Sequence, residues 1–417
     1  MRIAVIGAGI VGVTTAYELA TDGHEVTVFE RGAAVADGTS FANAGVIAPG
    51  YITPWAAPGM AWKVLRQMTG RHKAVRISPA VLATEAPWLW RWWRACRPAV
   101  HTANRGHMHR LARYSREHLD GLTQRLRLDY ERSLGYTVLL RGERELAAAR
   151  TGLTLLADLG VPFELMDAAR ARGVEPGLNP ALALRAAIHL PQDAVGNCRQ
   201  FAHLLKAEAQ KLGVVFRFQQ EVRTLQAGRP VRLLLADGEQ AFDAAVVCAG
   251  VTSAALLAPL GLCIPLLPVW GYSVTAPLRE LEHAPELGPR SAVMDERYKV
   301  AISRLGRRVR VSGSAELGGR ADRFHPGAMA TLYRVLDDWF PGAAQMAKVQ
   351  RWKGARPMLP DGPPLIGRSG HDGVWLNLGH GSSGWALSAG SARALADLMA
   401  GRTPAIALDG LGVERLA

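Results

Sequence analysis

Cysteine is scarce in this chain. Its four copies, Cys96, Cys198, Cys248 and Cys263, stand far apart, with no C-x-x-C pair and no Cys/His spacing suited to zinc. A disulfide framework and a zinc-organised fold are thereby excluded, no metal site is expected, and the thiols are read as buried groups in a reducing compartment. No uninterrupted apolar run of 18 residues occurs, so no spanning helix is expected. Arg2 already opens a strand pattern, RIAVIG, with no charged and apolar leader before it, which gives a cytoplasmic location as the expectation. Fixed-period repeats and low-complexity tracts are also lacking, which excludes a solenoid.

Acidic residues are in the minority. Thirty-six Asp and Glu against 49 Lys and Arg give a formal net charge of +13, a balance that favours anionic partners without choosing among nucleic acid, acidic lipid and a phosphate-bearing cofactor. The excess is local: Tyr51 to Arg110 holds ten Lys or Arg against the single acid Glu85, together with Trp55, Trp62, Trp88, Trp90, Trp92 and Trp93. That composition is not a nucleic-acid recognition module, and no nucleic-acid partner is expected.

What is present is a chain of 417 residues, 49% hydrophobic, enough for a large core and two or three domains. RIAVIG reads as a buried parallel strand, VGVTTAYELATDG as a helix ending at Gly23, and HEVTVFE as a second strand ending at Glu30. From Gly32 to Pro58 the sequence is irregular and rich in Gly, Ala, Ser, Asn and Pro, as expected of backbone lying over a ligand. Helical patterns follow from Trp62 to about Leu126. Later segments such as WGYSVTA, YKVAISR and RRVRVSGS alternate like antiparallel strands.

The spacing G-x-G-x-x-G occurs twice. In GAGIVG, Gly7 permits the tight turn, Gly9 lets backbone approach a pyrophosphate, and Gly12 allows close packing of helix on strand. Glu30 ends the next strand eighteen residues beyond Gly12, close to the roughly 20-residue offset at which an acid meets ribose hydroxyls. This unit alone does not separate NAD from FAD. The second copy, GHGSSG from Gly379 to Gly384, also follows a strand and opens a helix, yet no further strand follows to bring an acid to a second ribose. A helix N-terminus with free N–H groups suits the electron-rich edge of an isoalloxazine. One ligand then explains both copies: GAGIVG holds the pyrophosphate of FAD and GHGSSG its ring. The alternative for His380 is an imidazole that only packs in the turn.

Together with Glu30, the segments SFANAGVIAPGY, WGYSVT, DERYKVAISR, GARPMLPDGPPLIGR and NLGHGSSGWALSAGSARALADLM resemble the bacterial D-amino acid dehydrogenase small subunit, within the D-amino acid oxidase superfamily of FAD proteins. The resemblance spans nearly the whole chain. It implies α/β plus α+β architecture: a glutathione-reductase-type FAD-binding Rossmann domain with an inserted antiparallel-sheet substrate domain. The expected division is 1–80, 190–260 and 355–417 for the discontinuous FAD domain, and 81–189 and 261–354 for the substrate domain with its helical insert. It further implies oxidative deamination of free D-amino acids to 2-oxo acids and ammonia, with hydride passing from Cα to flavin N5 and electrons going on to a membrane quinone.

The superfamily's carboxylate-binding arginine falls on Arg356 of GARPMLPDG, where a planar fork suits a bidentate carboxylate; the alternative is a surface arginine paired with Asp361. Tyr298, Tyr272 and Tyr51 are expected to present hydroxyls to the substrate. Expected cofactor contacts are Gly7, Gly9, Ile10, Val11, Gly12, Glu30 and Arg31 in the first unit, and Ser40, Asn43, Ala44 and Gly45 in the loop. Val222, Ala249 and Gly250 contribute from the middle, and Gly379, His380, Gly381, Ser382, Ser383 and Gly384 near the end. Two positions depart from the pattern: Val46 stands where a polar residue such as Gln is expected, which bears on substrate range, and Ser382-Ser383 stands where Thr-Leu is expected.

Two other functions fit the same features. One is an oxidase or dehydrogenase of a secondary or small amine such as sarcosine, glycine, proline or hydroxyproline; the other is an FAD-binding partner subunit without turnover. Finally, in EAPWLWRWWRAC the indoles of Trp88, Trp92 and Trp93 can share one helical face bordered by Arg91 and Arg94. With Lys63, Arg66, Arg71, Lys73 and Arg76 nearby, residues 60–97 suit peripheral attachment to an anionic membrane face, the alternative being indoles that fill the helical insert.

Overall fold

The two kinds of strand pattern become two sheets. The computed structural model describes residues 1–67, 74–279 and 287–416. Arg2–Ile6 and Ala244–Val247, apolar at almost every position, lie side by side at the centre of a six-stranded sheet, as strands covered on both faces must. The order across it is Leu365–Arg368, Val374–Leu378, Ala244–Val247, Arg2–Ile6, Glu25–Glu30 and Val215–Phe218, parallel except for the antiparallel first pair. Val5 sits between Val246 and Val28. Helices Ile10–Thr21, Cys198–Lys211 and Gly384–Met399 cover one face, and a three-stranded antiparallel unit, Thr224–Gln226, Val231–Leu235 and Gly238–Phe242, covers the other.

The larger sheet runs in the order Gln350–Met358, Leu267–Pro277, Arg308–Leu317, Val300–Leu305, Ala292–Asp295, Ser133–Leu140, Ala186–Val195 and Val46–Ile47. It is antiparallel except where Ala292–Asp295 runs parallel to Ser133–Leu140 and where the short Val75–Ile77 runs parallel to Arg308–Leu317. Alternation divides its two faces. Val300 and Ile302 pack with Val311 against helix Pro326–Trp339, whose Trp339 is fully buried and donates from Nε1 to Asp295 at 2.7 Å. Ala301 and Ser303 face the other way, toward the first sheet.

Several boundaries differ from the expected division. The breaks at 190 and 355 fall inside strands Ala186–Val195 and Gln350–Met358. Val46–Ile47 and Val75–Ile77 belong to the large sheet rather than to the nucleotide-binding side. Helix Pro98–Leu126 packs Met108, Leu111, Ala112, Leu119 and Leu122 into the core of the six-stranded sheet, and Gly390 lies so close that its N–H reaches Ser115 Oγ at 3.0 Å. Its apolar stripe was readable; which layer would receive it was not.

The tryptophan-rich segment also divides. Trp88 and Trp92 are buried against Trp55, and Trp88 Nε1 donates to Pro265 O at 3.1 Å, so these two are core. Trp93 does not share their environment: with Trp62 and Trp90 it is more than half exposed. Arg76 is not a surface cation, since it is buried and donates to Ser314 Oγ, Gly327 O and Thr331 Oγ1. Arg71 and Lys73 lie outside the described residues, as do the side chains of Lys63 and Arg66. Of the cysteines, Cys198 and Cys248 are buried, Cys96 is half-buried and Cys263 is exposed, correcting the expectation of four buried thiols.

Candidate active site

Between the two sheets runs one cavity of about 1680 Å³, lined from GAGIVG at one end to Arg356 and Met294 on the large sheet. Single-ligand pockets are typically about 300–1,000 Å³, so a cofactor and a second small molecule fit together.

The nucleotide end is built by glycine geometry. Gly7 has a φ of +105°, and a Cβ there would lie 2.6 Å from the Cys248 carbonyl; a Cβ on Gly12 would lie 1.9 Å from the carbonyl of Gly7. Larger residues would push helix Ile10–Thr21 off the strand turn. Gly9 caps that helix and lines the cavity with Ile10 and Val11, while Ser40 Oγ accepts from Ile10 N at 3.1 Å. Glu30 also lines it, its two oxygens accepting from Ala8 N and Gly32 N at 2.7 Å each, so the carboxylate props the glycine turn as well as facing the ligand space. Arg31 is exposed at the rim, and Val222, Ala249 and Gly250 complete this end.

At the far end, Gly379 and Gly381 adopt φ of +77° and +56°, letting the chain turn into helix Gly384–Met399. The N–H groups of Gly384 and Trp385 meet no acceptor among the described residues, and both residues line the cavity. His380 also lines it, but its Nε2 is paired with Ser391 Oγ at 3.0 Å inside the protein. Burial pushes that imidazole down to about 3, so it is neutral. It is a packed, uncharged ring that also borders the cavity.

Arg356 occupies the wall opposite. It is half-buried, its Nη1 donates to Ser314 O at 2.9 Å, and it has no acidic partner among the described residues; desolvation pushes its guanidinium down to about 10. Asp361 is paired instead with Arg415 at 2.9 Å. The arginine has room because of Gly271: a Cβ there would lie 2.4 Å from Nη2 of Arg356. Within WGYSVT, the glycine beside Tyr272 makes the space.

The three tyrosines separate. Tyr51 lines the cavity, donating to Glu296 Oε2 at 2.7 Å and accepting from Lys299 Nζ at 2.9 Å. Tyr272 lines it too, but its hydroxyl donates to Glu316 and accepts from His325 N, so its polar tip is already engaged. Tyr298 is not among the lining residues. It lies in the turn between Ala292–Asp295 and Val300–Leu305, with its ring beneath Arg141 and Arg334 on the opposite face. The strand within YKVAISR begins only at Val300, past Tyr298, and the turn 296–299 brings Glu296 and Lys299, not Tyr298, to the cavity. Those two, with Ser312, Ser314 and Met294, went unremarked in the sequence. Only the turn-like cluster of charges in DERYK signalled the first pair.

The chain matches the family described as DAO, FAD dependent oxidoreductase, over residues 2–398. It belongs to that family. The FAD dependent oxidoreductase is 46% identical to a D-amino acid dehydrogenase of Cereibacter sphaeroides (strain ATCC 17029 / ATH 2.4.9), over 100% of this chain and 95% of that one. A D-amino acid dehydrogenase of Bradyrhizobium diazoefficiens is 39% identical, over 100% and 99%. Among solved structures, glycine oxidase from Geobacillus kaustophilus gives a TM-score of 0.75 at 22% identity, covering 99% of this chain and 98% of that one. L-Proline dehydrogenase from P. horikoshii gives 0.72 at 18%, covering 100% and 97%. These two show the shared fold. The residues present fit FAD: a turn closed to any side chain at Gly7 and Gly12, an acid at Glu30, and unpaired N–H groups at the opposite helix end.

Proposed function

We propose that this FAD dependent oxidoreductase is a D-amino acid dehydrogenase that passes its electrons to a quinone-type acceptor. One observation carries the substrate class: Arg356, a desolvated guanidinium with no acidic partner among the described residues, faces the cavity that also holds the nucleotide-binding turn. A buried cation is costly until an anion joins it, and a substrate carboxylate is such an anion. The names of the 46% and 39% identical relatives agree with this reading.

When bound, FAD supplies the two-electron oxidising power. The chain's own residues do the rest. Arg356 fixes the carboxylate and thereby orients Cα. Tyr51, held between Glu296 and Lys299, offers a fixed hydroxyl, and the apolar Val46, Met294 and Ala301 exclude water where the side chain lies. Val46 in place of a polar residue points to apolar D-amino acids. The product imino acid is hydrolysed by water to a 2-oxo acid and ammonia.

Membrane contact belongs to the same reading. No helix among the described residues is long and apolar enough to cross a membrane. Trp62, Trp90 and Trp93 are 70%, 55% and 53% exposed, and Arg94 stacks over Trp90 at 4.6 Å, with Arg91 and Arg97 also exposed. Indole and guanidinium together suit an anionic headgroup boundary, where a quinone acceptor is reached.

The deciding experiment is anaerobic mixing of the purified flavoprotein with D-amino acids, their L-enantiomers, and glycine, sarcosine and proline, followed by reoxidation with a quinone or with O2. Bleaching of the flavin by D-amino acids and faster reoxidation by quinone are expected. Bleaching by small secondary amines alone, or by none of the panel, would overturn the proposal.

A further inference from the structure

Behind the loop that ends at Gly45 lies a feature the reaction above leaves unused. Three successive carbonyl oxygens, those of Ala42, Asn43 and Ala44, are each held by a side chain from a different strand of the large sheet. Ser273 Oγ donates to Ala42 at 2.8 Å, Arg310 Nη1 to Asn43 at 3.0 Å and Ser303 Oγ to Ala44 at 2.8 Å. A trans peptide points its N–H opposite to its carbonyl, so the N–H groups of Asn43 and Ala44 are turned away from the sheet. Neither meets an acceptor among the described residues, and Ala42, Asn43 and Ala44 all line the cavity. Oriented peptide groups of this kind present partial positive charge to whatever lies before them.

Arg310 adds a full charge. It is buried, with Nε donating to Thr275 Oγ1 at 2.9 Å, and it has no ion pair among the described residues. Glu131, within electrostatic reach, is engaged by Arg308 and by Asn197 at 2.7 Å. Desolvation lowers the Arg310 guanidinium to about 10, leaving it charged at neutral pH. Accepting a hydride from substrate adds two electrons and one proton to FAD, a net gain of one negative charge, and a fixed cation close to the loop favours that product.

We propose that Arg310 is a positioning residue for FAD: with Ser273 and Ser303 it straps residues 42–44 so that their N–H groups face the isoalloxazine, and its unpaired charge raises the cofactor's reduction potential. The strap makes binding geometry, the charge makes potential, and the two are separable.

The test equilibrates the holoenzyme with a redox dye of known potential and, separately, measures FAD dissociation. Arg310→Gln removes the charge and should shift the dye equilibrium toward oxidised flavin by about tenfold, about 30 mV for a two-electron couple. Thr275→Asp leaves Arg310 in place but sets a carboxylate at its Nε; it should shift the equilibrium the same way, and it reads the charge effect even if Arg310→Gln does not fold. Arg310→Lys should stay near wild type. Ser273→Ala with Ser303→Ala should release FAD more readily with the dye equilibrium unmoved. An unmoved equilibrium in both Arg310→Gln and Thr275→Asp, or an equal shift in Arg310→Lys, would refute the electrostatic role; unchanged FAD affinity in the serine pair would refute the strap.

Discussion

Arg356→Met should make the substrate-free protein more stable and the enzyme far worse. Burial pushes the guanidinium down to about 10; at about 1.4 kcal/mol per tenfold change in proton affinity, the folded chain carries a penalty of about 3 kcal/mol for this charge. Because this is a base with a depressed value, the penalty is fully present below about pH 10 and fades only as pH rises beyond it. Removing the charge also forfeits the bond to Ser314 O, about 1 kcal/mol, so the net gain is about 2 kcal/mol. With about 2.1 cal/mol/K of unfolding entropy per residue, that is a rise of about 2 °C in Tm for a chain of this length. Catalysis moves the other way. Losing one partner of a buried charge pair costs about 2–5 kcal/mol, a fall in kcat/KM of about 30- to 4,000-fold. Arg356→Lys keeps charge but not the fork and should fall between, mainly through KM. The assay pairs thermal melts, with and without an unreactive carboxylate analogue, with anaerobic flavin reduction. Wild type should be stabilised by the analogue and Arg356→Met should not. A variant that melts several degrees lower, or still responds to the analogue, refutes the reasoning and makes Arg356 a structural residue.

Other expectations follow from the same geometry. Glu30→Ala deprives the Ala8 and Gly32 N–H groups of their acceptor as well as any ribose contact, and should weaken FAD retention by about tenfold or more, measured by equilibrium dialysis; unchanged retention would contradict it. Asp193 is buried against Gly50, and desolvation pushes its carboxyl up to about 7. For an acid with a raised value, its contribution to stability is fully present below about pH 4 and is lost as pH rises through about 7. Asp193→Asn, fixed neutral, should therefore match wild type in acid and exceed it by about 4 kcal/mol above pH 7 in denaturant melts; parallel pH profiles would speak against this. Replacing Trp62, Trp90 and Trp93 together by Ser should abolish flotation with anionic liposomes at low salt while leaving Tm unchanged. Equal flotation of variant and wild type would remove these indoles from any membrane contact.

Much of this site was legible in the chain because it rests on local chemistry. GAGIVG needs glycine for reasons internal to one strand, turn and helix, and Gly7 and Gly12 show those contacts directly. Arg356 was legible because no other residue offers a charged planar fork, and it lines the cavity as expected. Tyr298 was misplaced for an equally physical reason. It sits inside the four-residue turn 296–299, and the hairpin register pairs Asp295 with Val300 and Met294 with Ala301, so residues of opposite parity share a face on the two strands. Tyr272 kept the right strand, but its partner Glu316 is 44 residues away, and no local pattern showed that its hydroxyl was engaged.

The sequence by itself determined the family, the fold class and the FAD cofactor, and it named the glycine turn, its acid and the carboxylate-binding candidate, since each rests on residue type and short spacing. Only the tertiary structure decided which tryptophans are core and which face outward, that helix Pro98–Leu126 joins the nucleotide-binding layer, that Gly271 makes room for Arg356, and that Ser273, Arg310 and Ser303 converge on one loop. These depend on strand register and helix docking between residues tens to hundreds of positions apart. Such pairings are selected by burial of whole faces, and alternation along a single segment is the same whichever partner it meets.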